Sequence, residues 1–178
     1  MSRTNPNKKK RRSASKTVLI YGEGLAEETF LKYLKGVYSF NNNVAITIRR
    51  GKGGTADGIT MQAFRSQGSF SQRFVVLDND KGKREVERAR RLAKEKAINL
   101  FENTPCLESL LLSILNGGKS FSNKTSSWCK KEFESKYIDS KKRGDIDCYR
   151  KLFTKKLLKE MRNKISELET LICIFEGK

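Results

Sequence analysis

Two short acidic motifs close apolar runs in this chain. Gly22-Glu23-Gly24 follows Val18, Leu19, Ile20 and Tyr21, and Asp78-Asn79-Asp80 follows Phe74, Val75, Val76 and Leu77. Such runs read as buried strands, and residues i and i+2 of a strand share a face, so Asp78 and Asp80 can point the same way where the strand frays into loop. The glycines beside Glu23 lack side chains and let backbone or a phosphate approach closely. Three carboxylates at strand ends supply the hard oxygen ligands that suit Mg2+ or Mn2+, ions that keep waters a substrate phosphate can replace. The chemistry expected is phosphodiester cleavage or transfer, with Glu23, Asp78 and Asp80 as metal ligands and catalytic groups. Each motif also has a plainer reading. Asp-Asn-Asp is ordinary turn chemistry, while Glu27, Glu28 and Glu108 are also acids that complement a helix N-terminus. Lys81 and Lys83, just after the acidic pair, are candidate phosphate contacts, with solvated surface as the alternative.

Composition narrows the function classes. The 178 residues carry 38 Lys and Arg against 20 Asp and Glu, a formal net charge of +18. A balance so one-sided points to a polyanion, and nucleic acid is the expected partner. There is no histidine, which excludes Ser-His and Cys-His nucleophile pairs, a histidine general base and mixed histidine-carboxylate metal centres. Cys106, Cys129, Cys148 and Cys173 show no C-x-x-C spacing and are expected to be reduced, mostly buried thiols. The basic start is not followed by the apolar stretch of a signal peptide. The apolar stretch at 107–115 is interrupted by Glu108 and falls short of the roughly 18 residues of a membrane span. A cytoplasmic protein without a membrane partner is expected.

Several elements must position the acids. Residues 1–16 carry basic side chains and almost nothing apolar, so they are expected to form a flexible basic arm, with Lys8, Lys9, Lys10, Arg11 and Arg12 tethering nucleic acid. Strands are expected at 17–21, 44–49, 74–77 and 98–101. Helices are expected at 25–36, 56–67, 83–97 and 106–116, the last with Pro105 in its first turn. This alternation predicts an α/β domain over 17–116, with a central, mostly parallel four-stranded sheet flanked by helices and a ligand site at the carboxyl ends of the strands. Arg49, Arg50 and Lys52 fall in or beside a basic, glycine-rich loop suited to nucleic-acid phosphate, although that loop lacks the P-loop pattern. Residues 117–178 read as a basic, mainly helical extension packing on the same domain, with helices at 126–137 and 146–168 and a last strand at 171–175.

An apolar strand, Glu23-Gly24, a helix, and a second apolar strand ending in Asp78-x-Asp80 resemble the Toprim fold of primases, topoisomerases, recombination proteins and OLD-type nucleases. Within it, the segment from Glu23 through Glu27 and Glu28 to Phe30 resembles the E-G-x-T-E-x-x-F opening of RloB-like proteins. The segment from Thr104 through Glu108 to Leu112 resembles their N-P-x-F-E-x-W-L-L stretch. The resemblance covers about residues 17–116. It implies that Glu23 is the catalytic or metal-binding glutamate, that Asp78 and Asp80 hold Mg2+, and that Glu27 and Glu108 are supporting positions. It further implies a metal-dependent nuclease acting on DNA or RNA in prokaryotic defence or a mobile element, with a partner ATPase or defence-system protein as a possibility. Two alternatives stay open: a non-catalytic Toprim-like module that binds nucleic acid or a partner, and a ribosomal-RNA maturase-like ribonuclease.

Overall fold

Val18, Leu19 and Ile20 are almost completely buried, because the strand that carries them is covered on both faces. In the computed structural model, which describes residues 14–40 and 43–178, this strand is β1 (Lys16–Gly22). It lies between β2 (Val44–Arg50) and β3 (Gln72–Asp78), and β4 (Asn99–Asn103) pairs with the far side of β3. All three pairings are parallel and the order is β2-β1-β3-β4. The predicted α/β class with a central parallel sheet is therefore the architecture observed, and it is consistent with a Toprim-like fold.

Side-chain alternation sorts the two faces. Val18, Ile20, Ile46, Val76 and Phe101 join one core with α1 (Leu25–Tyr38) and α4 (Leu107–Leu115). Leu19, Tyr21, Val75 and Leu77 join the other with α2 (Ala56–Arg65) and α3 (Lys83–Glu95). The result is three layers. The chain leaves β1 for β2 on one side and returns across it to β3 on the other, so the strand order reverses between β1 and β3. In such sheets the crevice at that reversal, beyond the carboxyl ends of the strands, is where ligands bind.

The basic C-terminal part adds α5 (Ser126–Lys136), a 3-10 turn (Ser140–Lys142), α6 (Ile146–Leu152), α7 (Lys155–Met161) and α8 (Ser166–Glu176). Phe133, Tyr149, Phe153, Leu158 and Phe175 from these helices enter the α1 and α4 core, where the Phe30 ring meets those of Tyr149 and Phe153.

Three local expectations are corrected. Residues 171–175 form helix, not strand: the buried set is Leu168, Leu171, Ile172 and Phe175, a spacing of i, i+3, i+4 and i+7 that makes one helical face. Gly177, at φ 78°, ends it in the left-handed conformation. The helix expected over 146–168 is three pieces. A straight one would run about 35 Å, past strands of about 23 Å. Thr154 restarts the chain as α7 by accepting a hydrogen bond from the Leu157 N–H at 3.3 Å. Pro105 precedes Cys106, the N-cap of α4, and does not sit in the first turn. Of the four free cysteines, Cys106 and Cys129 are buried and Cys148 and Cys173 are partly exposed. No helix among the described residues is long and apolar enough to cross a membrane.

Candidate metal centre

Glu23 leaves the end of β1 in a turn so tight that neighbouring side chains would clash. A Cβ at Gly22 would lie 3.0 Å from the Glu27 Cβ and 3.2 Å from the Glu28 backbone nitrogen; one at Gly24 would lie 2.9 Å from Glu27 Oε2. The space the glycines open is thus taken by Glu27. Its carboxylate accepts the Gly24 N–H at 3.0 Å, the half of a capping box that a glycine N-cap can make.

Asp78 is the last residue of β3 and shares the face of Val76, so it points toward α4. Its Oδ1 accepts the Leu107 N–H at 2.9 Å. Cys106, the N-cap of that helix, makes no side-chain cap, so Asp78 satisfies from outside a donor that a helix start leaves orphaned. Asn103 is its register partner on β4 and brings an amide nitrogen within 3.5 Å of Oδ1. The Asp78 backbone N–H in turn donates to Glu23 Oε2 at 3.5 Å, which links the ends of β1 and β3.

More acids converge here than the strand ends alone supply. Asp78, Cys106 and Glu108 bring one ligand atom each to within 4.8 Å of one another. Asp78 is only 5% exposed and Glu108 only 4%. Burial, followed by the charges of Glu27 and Glu108, pushes the Asp78 pKa up to about 8, against the pull of Lys130. Burial also raises that of Glu27, with Glu108 and Glu23 adding to the effect.

Two ammonium groups answer this excess. Lys81 pairs with Glu23 Oε1 at 2.5 Å and donates to the Gly54 carbonyl at 2.6 Å. Lys130, from α5, lies 3.7 Å from Asp78 Oδ2 and 3.6 Å from Asp80 Oδ2. Burial opposes the Lys130 charge, but Asp78, Glu108 and Asp80 outweigh it and its pKa is raised.

The predicted residues are therefore placed unequally. Among the described residues Asp78 and Glu108 share a cluster at ligand spacing with Cys106, whereas Glu23 adjoins through the Asp78 backbone N–H, Glu27 turns to Gly24, and the more exposed Asp80 is linked only through Lys130. Lys81 is in the site, and Lys83 is exposed on the first turn of α3. Arg49 lies over the Phe70 ring at 5.6 Å, Arg50 pairs with Glu28 at 3.6 Å, and Lys52 is exposed. Lys8, Lys9, Lys10, Arg11 and Arg12 lie outside the described residues. Cys106 enters from sequence only as a buried thiol, and Asn103 and Lys130 carry no motif that marks them for the site, although Asn103 ends a strand beside Asp78.

The residues fit a hard divalent cation. Glu108 Oε2 and Asn103 Oδ1 are buried with no hydrogen-bond partner, whereas buried polar atoms are normally satisfied. Burial, then Glu108 and Asp78, raises the Cys106 pKa, so the soft donor stays a thiol and carboxylate oxygens are what an ion would meet. Comparison with known proteins brings no match to this chain from family models, curated proteins or solved structures.

Proposed function

We propose that the chain is a Mg2+-dependent nuclease of the Toprim, RloB-like kind, cutting DNA or RNA, with Mn2+ able to substitute. The observation that carries this reading is the close approach of Asp78 and Glu108 beside Cys106 at the strand-order reversal, with Glu108 Oε2 left unpartnered and Glu23 adjoining through the Asp78 backbone N–H. Asp78 and Glu23 would hold the ion, Glu108 would supply a deeper oxygen, and Asp80 would complete the set from the rim. When bound, Mg2+ would polarise the phosphodiester and stabilise the departing oxygen. Asp78 must shed the proton that burial leaves on it, so occupancy is tied to pH. As the alternative to holding the ion, Glu23, nearer the surface than Asp78 or Glu108, would accept a proton from an attacking water once Lys81 turned toward phosphate. Glu27 is committed to Gly24 and positions the turn. The family likeness adds prokaryotic defence or mobile-element biology, with a partner ATPase or defence-system protein, as the setting proposed.

Plasmid and RNA cleavage with Mg2+ or Mn2+ tests this, wild type against the double variant Asp78→Asn/Asp80→Asn. Equal activity in the two would sink the assignment. One observation favours a second reading, a module that binds nucleic acid without cutting: Lys130 already sits between the two aspartates as a cation. That reading requires salt-sensitive binding that persists in EDTA and survives Glu23→Gln.

A further inference from the structure

Helix α5 sends Lys130 into the acid cluster, and the residue two before it, Trp128, faces a different surface. Trp128 is 37% exposed, and it lies nearly parallel to Phe121, with ring centroids 5.9 Å apart and planes 19° apart. Lys124 holds its ammonium 5.4 Å from the Trp128 ring and Lys119 holds one 5.8 Å from Phe121. The two rings line an open hollow of about 470 Å3 with Lys136 and Asn123 on its walls. Its acid, Glu132, is neutralised by Lys136 at 2.5 Å. Phe121 is only 8% exposed and backs the ring of Trp128, which is the exposed one; an exposed aromatic face with a lysine over it, in a concave and positively charged setting, suits an unpaired base, with the ring stacking and the lysine taking the phosphate.

We infer that this surface is a base-stacking subsite for single-stranded nucleic acid, leading the strand to the acid centre. The inference rests on the nuclease reading and deepens it by naming the form of the substrate. A base on Trp128 takes the place of the Lys124 ammonium, which swings to the adjacent phosphate. From there the strand rounds α5, a cylinder about 10–12 Å across. Residues of α5 also line a second, more open hollow of about 530 Å3, where Ser127, Lys130, Lys131 and Arg143 stand with Glu134 and Asp139 and where Arg143 pairs with Glu134. A duplex keeps its bases stacked on each other and cannot use the platform.

The chain has one tryptophan, so its fluorescence reports this site alone. The full chain is titrated in EDTA with the oligonucleotide dT12, with a hairpin duplex and with inorganic polyphosphate. Quenching by dT12 only is the expected result. Trp128→Ala should weaken dT12 binding, read by anisotropy of a labelled strand, by about 5- to 100-fold, while Trp128→Phe retains most of the affinity and Lys124→Ala flattens the salt dependence. Equal quenching by polyphosphate, or equal affinity of Trp128→Ala and wild type, overturns the subsite. Neither result touches metal-dependent cleavage, which is scored separately with Asp78→Asn/Asp80→Asn. Loss of the nuclease reading by that assay leaves the EDTA titration to stand on its own.

Discussion

Replacing Asp78 by asparagine should stabilise the metal-free protein while abolishing its response to Mg2+. Folding raises the Asp78 pKa from 3.8 to about 8. The native state therefore keeps a proton that the unfolded chain releases, and wild-type stability falls as pH rises from about 4 to about 8, then levels off. At 1.36 kcal/mol per unit, the shift corresponds to a penalty of the order of 5 kcal/mol at pH 8. Asparagine removes it and keeps an oxygen for the Leu107 N–H. The pull of Lys130 is already contained in that raised pKa; the poorer acceptor an amide oxygen makes offsets part of the gain, leaving about 2–4 kcal/mol, or roughly 5–15 °C in Tm for a chain of this size. Thermal unfolding in EDTA from pH 4 to 9 measures it: the two curves should meet near pH 4 and diverge toward pH 8. With Mg2+ the wild type alone should gain Tm, more so at higher pH, because the ion displaces the Asp78 proton. A variant less stable than wild type by the same amount at every pH would refute the reasoning, since Asp78 would then act only as a cap for α4.

Gly22→Ala puts a Cβ 3.0 Å from that of Glu27 and 3.2 Å from the Glu28 nitrogen; it should cost about 1–3 kcal/mol and weaken Mn2+ binding by displacing Glu23, both read from thermal unfolding with and without the ion. Lys130→Met removes the ammonium that lies between Asp78 and Asp80 and should tighten Mn2+ binding severalfold by calorimetry, whereas weaker binding would show that Lys130 organises the aspartates for the ion. Of the four free cysteines, Cys148 and Cys173 should react slowly with a thiol reagent in the native protein, their pKa values being raised, and Cys106 and Cys129 only after unfolding. Rapid labelling of Cys106 would mean that the acid cluster beside it is open to solvent.

What could be read from the chain is what depends on local pattern. Apolar runs ending in Glu23 and Asp78 announce strands and their carboxyl ends, because burial on both faces leaves no room for polar alternation there. Residues 171–175 do not announce their helix, because five apolar residues satisfy either period, and Leu168 with the left-handed Gly177 decides for helix. The site was less legible than the fold because half of its electrostatics comes from segments distant in sequence. Lys130 belongs to a helix whose pattern gives no sign that it reaches β3, and Glu108 looks like any acid at a helix start until its Oε2 is found buried and unpartnered.

That distant half changes what the charge of +18 means. Read as composition, it advertises a polyanionic partner. In the fold, Lys81 and Lys130 are counter-ions to the chain's own acids, held at 2.5 Å from Glu23 and between Asp78 and Asp80. An acid cluster this buried would otherwise repel itself, so the lysines let the domain fold before any metal arrives. On the proposed metal-binding reading they would also set the terms for an ion, which would have to displace a proton from Asp78 and an ammonium from the aspartate pair. Under the same proposal both lysines would then be free to meet a substrate phosphate. The proposal thus gives the same residues a part in the empty and the loaded state, and mutating them should separate the two: lysine removal should relieve the competition for the ion while weakening the hold on the substrate.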